Sequence, residues 1–442
     1  MPSSTVCRRC QGWSGRLVAT SCPALLLSAP ASNQGKTLVS AALARAWRNQ
    51  GLIVQAFKCG PDFLDPMILQ TATGRPVYNL DLAMCGADDI ATRLHQAAQK
   101  SDVILVEGVM GLYDGSPSSA DIAAQFKLPV ALTIDASGMA QTFGALAAGL
   151  FSHRPELIPA GVIANRTGSA GHGALLHDSL PPDIPWLGAL QKQEALALPE
   201  RHLGLFRADE IDGLEQRIAQ AAALLTDTGP LPLPPETAFA YSPPANDVQR
   251  WLAGKIIAVA RDEAFCFIYP ANLDCLHALG AQTMFFSPLH DEALPIGIDA
   301  IWLPGGYPEL HLSALGSNHA MRTALRQAWQ QGLPILAECG GMMALAESIN
   351  QQPGIGLLPG SCTMQSRFQG LGVQFAQLPE GRLHAHTFHY SRLETALPVY
   401  VQASTQRGKP GEAIYRHGSL TASYLHFYFP SNPSAIARLF NP

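Results

Sequence analysis

Short apolar runs alternate with longer amphipathic stretches along most of this chain. Stretches with apolar side chains at helical spacing, such as residues 38–48 and 91–99, predict helices. The apolar runs between them are rich in Val, Ile, Leu and Ala, and they predict strands over residues 24–28, 53–58, 103–107, 130–135 and 161–165. Strands that are apolar throughout are typical of a parallel sheet with helices on both faces. The first half is therefore predicted to be a doubly wound α/β domain.

A proline-rich stretch interrupts this pattern. Six prolines lie within residues 230–244, and such density is typical of a semi-rigid linker because proline cannot continue a helix or a central strand. A second alternating series follows, with strands predicted over residues 256–260, 300–303 and 335–337. The predicted organisation is an extension without regular structure (1–22), a first domain (23–228), a linker (229–250) and a second domain (251–442).

Composition and charge narrow the classes of function. Apolar residues make up 47% of the 442 positions, charged residues 14%, and the net charge is −5. This balance excludes a basic nucleic-acid surface as the main feature, and no apolar run reaches the roughly 20 residues of a membrane span. Nine scattered cysteines favour reduced thiols in the cytoplasm over a disulfide framework.

A candidate phosphate-binding loop, SAPASNQGKT over residues 28–37, follows the first predicted strand and precedes a helix. Backbone N–H groups of such a loop hold phosphate oxygens. Lys36 would neutralise the terminal phosphates of ATP, and the Thr37 hydroxyl would bind Mg²⁺. The predicted nucleotide-binding residues of the loop are Ser32, Asn33, Gln34, Gly35, Lys36 and Thr37.

Acidic side chains follow the next two predicted strands. Asp62 and Asp65 come after the second strand, and Glu107 and Asp114 come at the end of the third and after it. Ligands of parallel sheets lie beyond the carboxyl ends of the strands, so we expect these acids to converge on the loop. Because Mg²⁺ takes few protein ligands, some acids must do other work. For any single acid, helix capping remains the alternative. The predicted metal ligands are Thr37, Asp62 and Glu107, and the predicted phosphate or substrate residues are Lys58, Asp62, Asp65 and Asp114.

A candidate nucleophile, Cys339, lies between a predicted strand and a predicted helix. Gly340 and Gly341 follow it and allow a tight turn that projects the sulfur and frees N–H groups for an oxyanion. A thiol needs a base to react at neutral pH. A buried structural cysteine is the alternative interpretation. The histidines that could serve as the base are His384, His386, His389, His417 and His426.

Together these segments resemble the cobyrinic acid a,c-diamide synthase family. The resemblance runs from about residue 25 to the C-terminus and also rests on residues 198–205, 286–292, 304–310, 388–391 and 423–429. It implies a P-loop NTPase-like ATP domain, similar to dethiobiotin synthetase, joined to a class I glutamine amidotransferase-like domain. It further implies that ATP converts two carboxylates of a corrinoid tetrapyrrole into acyl phosphates, and that ammonia from glutamine turns them into amides.

The resemblance also implies roles for individual residues. Cys339 would attack glutamine with His426 as its base, and the N–H groups of Gly306 and Gly340 would bind the oxyanion. Asn165 would recognise adenine, with a structural asparagine at a strand end as the alternative. The expected ligands are ATP, Mg²⁺, glutamine and the tetrapyrrole, with no nucleic acid and no membrane; a homodimer is left open.

Three departures from the family pattern stand out. Tyr428 occupies the position where most class I amidotransferases have a glutamate two residues after the histidine. Asn33 replaces a common glycine, which predicts an unusual backbone angle that Asn tolerates. Residues 81–84 lack an expected tryptophan, so substrate contacts there stay open. His389 is the rival of His426 as the base.

Four alternatives remain at this point. Cobyric acid synthase and nickel-sirohydrochlorin a,c-diamide synthase share the same plan. A partitioning-type ATPase switch would carry a lysine early in the loop, and residues 28–35 contain none. A scaffold with an inactive glutaminase would show no activity despite Cys339.

Overall fold

The computed structural model describes residues 18–201, 204–227, 229–241 and 249–442. Within these residues, two large sheets each have apolar cores on both faces. This arrangement follows from the sequence, because strands that are apolar throughout must be covered on both sides. The prediction of two α/β domains is confirmed.

The first sheet has eight strands in the described part of the chain, in the order β3-β2-β4-β1-β5-β6-β7, with β10 paired to β1. The strands other than β10 pair in parallel, and two short strands, β8 and β9, pair separately. The strands are β1 (Val18–Ser28), β2 (Val54–Cys59), β3 (Tyr78–Leu80), β4 (Val103–Glu107), β5 (Pro129–Asp135), β6 (Ile158–Thr167), β7 (Trp186–Gln191), β8 (Glu200–Arg201), β9 (Gly204–Leu205) and β10 (Glu236–Tyr241).

The second sheet runs β12-β11-β13-β14-β23-β22-β21-β18-β19-β24, and a smaller one runs β16-β15-β17-β20. In the larger of these two sheets, the first five strands of this order are parallel. The antiparallel strands that complete it were not predicted. The strands are β11 (Ile256–Ala260), β12 (Gln282–Phe286), β13 (Ala300–Leu303), β14 (Ile335–Glu338), β15 (Ala346–Ile349), β16 (Gln352–Pro353), β17 (Leu358–Met364), β18 (Gly370–Leu378), β19 (Gly381–His389), β20 (Ser391–Glu394), β21 (Val401–Thr405), β22 (Pro410–His417), β23 (Leu420–Ser423) and β24 (His426–Tyr428).

Helices cover both sheets, and none of the described helices combines the length and apolar character needed to cross a membrane. The helices are α1 (Lys36–Asn49), α2 (Leu64–Thr73), α3 (Ala87–Ala98), α4 (Ser119–Phe126), α5 (Thr142–Ser152), α6 (Ala170–Asp178), α7 (Leu214–Leu225), α8 (Pro270–Ala278), α9 (Leu312–Ser317), α10 (His319–Gln330), α11 (Gly340–Leu345) and α12 (Pro433–Phe440).

Two predicted boundaries were wrong, and for the same reason. Residues 18–22 were assigned to an extension without regular structure, and residues 236–241 to the linker. They form the two strands of one antiparallel pair, in which Val18 lies opposite Tyr241 and Pro23 opposite Glu236. β1 changes partners at this point, because Ala24 onwards pairs with β4. Residues 1–17 of the predicted extension, residues 242–248 of the predicted linker, and residues 202 and 203 lie outside the described residues.

Candidate active site

The phosphate loop connects β1 to α1, as the sequence predicted. Gly35 immediately precedes the helix with φ of 81°, and a Cβ atom there would lie 2.2 Å from the side-chain nitrogen of Asn165. Asn33 has φ of 62°, which confirms the predicted backbone angle. This left-handed geometry explains why the loop uses Gly and Asn at these positions.

Asn165 lies at the end of β6 and is packed against the loop. Its side-chain nitrogen donates to the carbonyl of Gln34 at 2.9 Å, and its side-chain oxygen accepts from the N–H of Arg166 at 3.0 Å. The Gln34 side chain accepts from the N–H of Asp135 at 2.8 Å. Both amide side chains therefore hold the loop against the ends of β5 and β6, which supports a structural role for them.

Two buried lysines, Lys36 and Lys58, lie at this centre. Lys58 Nζ lies 2.6 Å from Asp65 Oδ2 and 2.6 Å from Glu107 Oε1. Burial alone would lower the pKa of Lys58, but these two carboxylates outweigh it and raise the pKa well above its usual value. Lys36 donates to the carbonyls of Ala31 and Met110, and burial, followed by repulsion from Lys58, lowers the pKa of Lys36 to about 8.

Three oxygen donors meet beside the loop. The Thr37 hydroxyl lies 3.1 Å from Asp65 Oδ1 and 3.2 Å from Glu107 Oε1. Hard oxygen donors of this kind suit Mg²⁺, so the residues present fit that cation. Within the described residues, no group of three or more His, Cys, Asp or Glu side chains is arranged to hold a metal.

Asp62 and Asp114 both accept hydrogen bonds from backbone N–H groups. Asp62 Oδ1 accepts from the N–H groups of Leu64 and Asp65 at the start of α2, which is the helix-capping alternative. The structure thus brings Asp65, and not Asp62, to Thr37. Burial, followed by the charge of Asp65, raises the pKa of Asp62 to about 7. Asp114 is exposed and accepts from the N–H of Gly111 at 2.9 Å.

A cavity of about 510 Å³ lies over the loop. One wall is formed by the loop with Asp62 and Asp65, and another by the end of β7 and the segment after it, from Gln191 to Leu198. This wall was not predicted, because no recognisable motif marks it. Of the predicted residues, it brings together Ser32, Asn33, Gly35, Lys36, Thr37, Lys58, Asp62, Asp65 and Asn165.

Cys339 lies on a sharp turn between β14 and α11. Its φ and ψ of 46° and −109° are sparsely populated for a non-glycine residue, and such angles concentrate at functional positions. The N–H of Cys339 donates to the carbonyl of Ser423 at 2.7 Å, which anchors the turn to β23. The predicted strand-turn-helix context is therefore present.

Gly305 separates Cys339 from His426. A Cβ atom on Gly305 would lie 3.3 Å from Cys339 Cβ, 2.2 Å from His426 Cε1 and 2.9 Å from His426 Nδ1. The Cε1–Nδ1 side of the imidazole and the Cβ of Cys339 therefore both lie against Gly305. Nδ1 is buried and has no hydrogen-bond partner in the structure, so it is available to accept a proton.

The two predicted oxyanion donors lie side by side. A Cβ atom on Gly340 would lie 2.9 Å from the nitrogen of Gly306, and one on Gly306 would lie 2.1 Å from the carbonyl of Ala264. Side chains at either position would collide with backbone, so the close approach of these two turns explains the glycines.

Burial keeps this second centre neutral. It raises the pKa of the Cys339 thiol, lowers the pKa of His426 well below its usual value, and lowers the pKa of His386 to about 3. Glu338, next to Cys339, accepts from the N–H of Phe427 and from Trp302 Nε1, while burial raises its pKa to about 8. A neutral thiol and a neutral imidazole suit proton transfer on arrival of a substrate.

Three of the other candidate histidines are engaged elsewhere, whereas His386 is buried with its ring stacked 6.3 Å from that of His426. His389 Nε2 lies 3.0 Å from Glu412 Oε1, and its Nδ1 lies 2.8 Å from the carbonyl of Ser391. His384 Nδ1 lies 3.0 Å from the carbonyl of Met84 in the first domain. His417 stacks on Trp329. These contacts favour His426 as the base.

Sequence reasoning missed Phe63 and did not predict the contacts that Tyr428 makes with the first domain. Phe63, between Asp62 and α2, places its ring 5.0 Å from that of His426. Tyr428, the residue in place of the usual glutamate, donates to Asp89 Oδ2 at 2.5 Å and accepts from Arg93 Nε at 3.1 Å. Only the aromatic character of the segments could have drawn attention to them, because contacts between domains leave no local pattern.

Comparison with known proteins matches both domains. The CobQ/CobB/MinD/ParA nucleotide binding domain matches residues 25–206, and the CobB/CobQ-like glutamine amidotransferase domain matches residues 256–434. Hydrogenobyrinate a,c-diamide synthases of Stutzerimonas stutzeri and Pseudomonas aeruginosa are 52% and 50% identical to the chain, over 96% and 95% of it and 100% and 98% of their own lengths. The cobyrinate a,c-diamide synthase of Herminiimonas arsenicoxydans is 49% identical over 95% of the chain and 96% of its own length. The chain therefore belongs to the cobyrinate/hydrogenobyrinate a,c-diamide synthase family of glutamine-dependent ligases.

Proposed function

We propose that the protein amidates the a and c side-chain carboxylates of cobyrinic or hydrogenobyrinic acid in cobalamin biosynthesis, with ATP and glutamine as co-substrates. The observation that carries this proposal is that one chain holds a phosphate loop and a cysteine–histidine pair, and that the turn joining β2 to α2 contacts both, through Asp65 at Thr37 and through Phe63 at His426. The names of the relatives at about half identity support the substrate class.

In the glutaminase half, Cys339 Sγ attacks the glutamine carboxamide carbon and His426 accepts the thiol proton. The N–H groups of Gly306 and Gly340 would stabilise the oxyanion. His426 then returns the proton to the leaving nitrogen, so ammonia departs and a thioester remains. Water hydrolyses the thioester to glutamate and restores the thiol.

In the synthetase half, a substrate carboxylate oxygen attacks the γ-phosphorus of ATP and ADP leaves. Lys36 and the loop N–H groups hold the phosphates, and Thr37, Asp65 and Glu107 are the residues that would hold Mg²⁺. When bound, that cation offsets the phosphate charge. Ammonia then attacks the acyl phosphate carbon, the C–N bond forms, and phosphate leaves with the surplus proton.

The ion pairs of Lys58 support separate roles for this lysine and for the residues that would hold Mg²⁺. Its two carboxylate partners are the same groups that approach Thr37. Thr37, Asp65 and Glu107 would hold the cation, and Lys58, which lines the same cavity, would offer its ammonium group to the transferred phosphoryl group. We propose that Lys58 stabilises the negative charge of the transferred phosphoryl group.

A reducing compartment fits the thiol chemistry. The seven cysteines in the described part of the chain are all free thiols, and disulfides are rare in the cytoplasm. We therefore place the protein in the cytoplasm.

The test is amidation of both acids, followed by mass spectrometry, with either glutamine or an ammonium salt as the nitrogen source. Each amidation replaces a hydroxyl group by an amino group, and two successive products are expected. Cys339→Ser should lose the glutamine-dependent reaction and keep the ammonium-dependent one. If neither acid gives a product with ammonium, the proposed substrate is contradicted. If one acid is preferred, that acid identifies the metal state of the macrocycle.

A further inference from the structure

One turn of the first domain touches both reactive centres. Phe63 lies on it, between the end of β2 and the start of α2. Its ring packs 4.9 Å from that of Phe267 and 4.3 Å from that of Tyr269, both stacked, and 5.0 Å from that of His426. The catalytic histidine of the second domain is therefore packed against a ring from the first.

This aromatic group closes the glutaminase centre on the side of the synthetase. Cys339 and His426 expose only 4% and 2% of their surfaces. Phe267 also packs against His426, with 6.1 Å between the ring centroids. The apolar rings exclude water, which explains the neutral state of the thiol and the imidazole.

The same turn is tied to the nucleotide cleft at its other end. Asp65, two residues after Phe63, contacts both Thr37 and Lys58. Asp62, the residue before it, lines the cavity over the loop and also a larger cavity of about 1400 Å³ that Phe63 borders between the domains. Because Asp65 and Phe63 are two residues apart, any displacement of Asp65 would move the segment that carries the ring on His426.

We propose that Phe63 is a positioning residue that holds His426 beside Cys339 and is the gate through which ammonia passes from the glutaminase to the acyl phosphate. This inference rests on the proposed function. Ammonia released at Cys339 must reach the cleft at Asp65, and the turn carrying Phe63 is the direct connection between them. Exchange of the partners of Asp65 on nucleotide binding opens the gate, so ammonia is delivered when an acceptor is being formed.

The experiment compares Phe63→Ala, Phe63→Leu and Phe63→Tyr in the full-length protein. Phe126→Ala is the matched control, because Phe126 is also a partly buried ring on the first domain's core, at the end of α4. For each variant, glutamate, amide and ADP are measured with glutamine, and amide is measured with ammonium. Alkylation of Cys339 by iodoacetamide reports access to the thiol.

The quantity compared is the amount of amide formed per glutamine hydrolysed, divided by the rate of amidation with ammonium. This quantity should be about tenfold lower in Phe63→Ala than in the unaltered protein, because small displacements of reacting groups cost this much or more. If nucleotide binding opens the gate, nucleotide should speed alkylation of Cys339 in the unaltered protein, whereas in Phe63→Ala alkylation should be fast with or without nucleotide. Phe63→Tyr keeps the ring, so its ratio of amide to glutamate and its rate of Cys339 alkylation should match those of the unaltered protein. Phe63→Leu lacks the ring and should behave like Phe63→Ala.

An unchanged ratio of amide to glutamate in both Phe63→Ala and Phe63→Leu overturns the inference, as does an equal loss in Phe126→Ala. If Phe63→Ala unfolds, the Phe63→Leu result decides. Failure of the unaltered protein to amidate either acid with ammonium would instead overturn the proposed function, so the two failures are distinguishable.

Discussion

The two reactive centres are built on opposite electrostatic principles. At the phosphate loop, the buried ammonium group of Lys58 forms ion pairs with the buried carboxylates of Asp65 and Glu107. The centre at Cys339 is buried to a similar degree, yet it keeps its thiol and imidazole neutral. Buried ion pairs are costly unless they are matched, so the first centre depends on its partners, whereas the second depends on the exclusion of water.

The largest expected effect comes from breaking the charged centre. Lys58→Met leaves two carboxylates buried without their cation, which should lower the free energy of unfolding by about 3–5 kcal/mol and abolish amidation from either nitrogen source. Thermal unfolding and product assays measure both effects. Lys255→Met is the control, because the pair of Lys255 with Asp299 is about one-third exposed and should contribute at most about 1 kcal/mol. Equal losses in the two variants would refute the contrast.

The neutral centre should be sensitive to acid. The pKa of His386 falls to about 3 in the folded protein, against 6.5 for the free side chain. Between these values the unfolded state binds a proton that the folded state does not, so stability falls as the pH falls from 6.5 towards 3. At pH 5 this contribution amounts to about 2 kcal/mol.

His386→Phe removes this titration and should reduce the loss of thermal stability between pH 7 and pH 5. His319→Gln is the control, since His319 is exposed at the start of α10. If the pH dependence of unfolding is the same in His386→Phe as in the unaltered protein, the imidazole is not buried in a neutral state.

The loop should show a smaller, local effect. Asn33 has a positive φ, and a residue with a Cβ and no local hydrogen bonding pays about 1–2 kcal/mol in this region. Asn33→Ala should therefore weaken ADP binding, measured by calorimetry, while Asn33→Gly should not. Weaker binding in both variants would point to the side chain of Asn33 rather than to its backbone.

The smallest expected effect concerns the domain interface. Tyr428→Phe removes the hydroxyl that contacts Asp89 and Arg93 but leaves their ion pair. The loss should be about 1 kcal/mol in denaturant unfolding, with glutamine hydrolysis retained. Loss of hydrolysis would show that Tyr428 takes over the function of the missing glutamate. The centre at Cys339 would then depend on polar partners as well as on the exclusion of water.

The fold and most of the site could be predicted because their signals are local. Apolar runs marked the strands, and the glycine turns around Cys339 marked the nucleophile. Several of the failures concern contacts between residues far apart in the sequence. Neither the contact of Phe63 with His426 nor the pairing of β1 with β10 follows from a periodic pattern, and the choice of Asp65 over Asp62 at Thr37 depends on which oxygen caps α2.

The pairing of β1 with β10 also has a consequence for biosynthesis. The first strand of the chain cannot find its antiparallel partner until residues 236–241 have left the ribosome, shortly before the second domain begins to be made. Domains generally fold as units during synthesis, so completion of the first sheet is timed to the junction between the two. A chain that began at Pro23 would keep only the pair of Pro23 with Glu236 and would leave β10 as an unprotected edge, which favours aggregation.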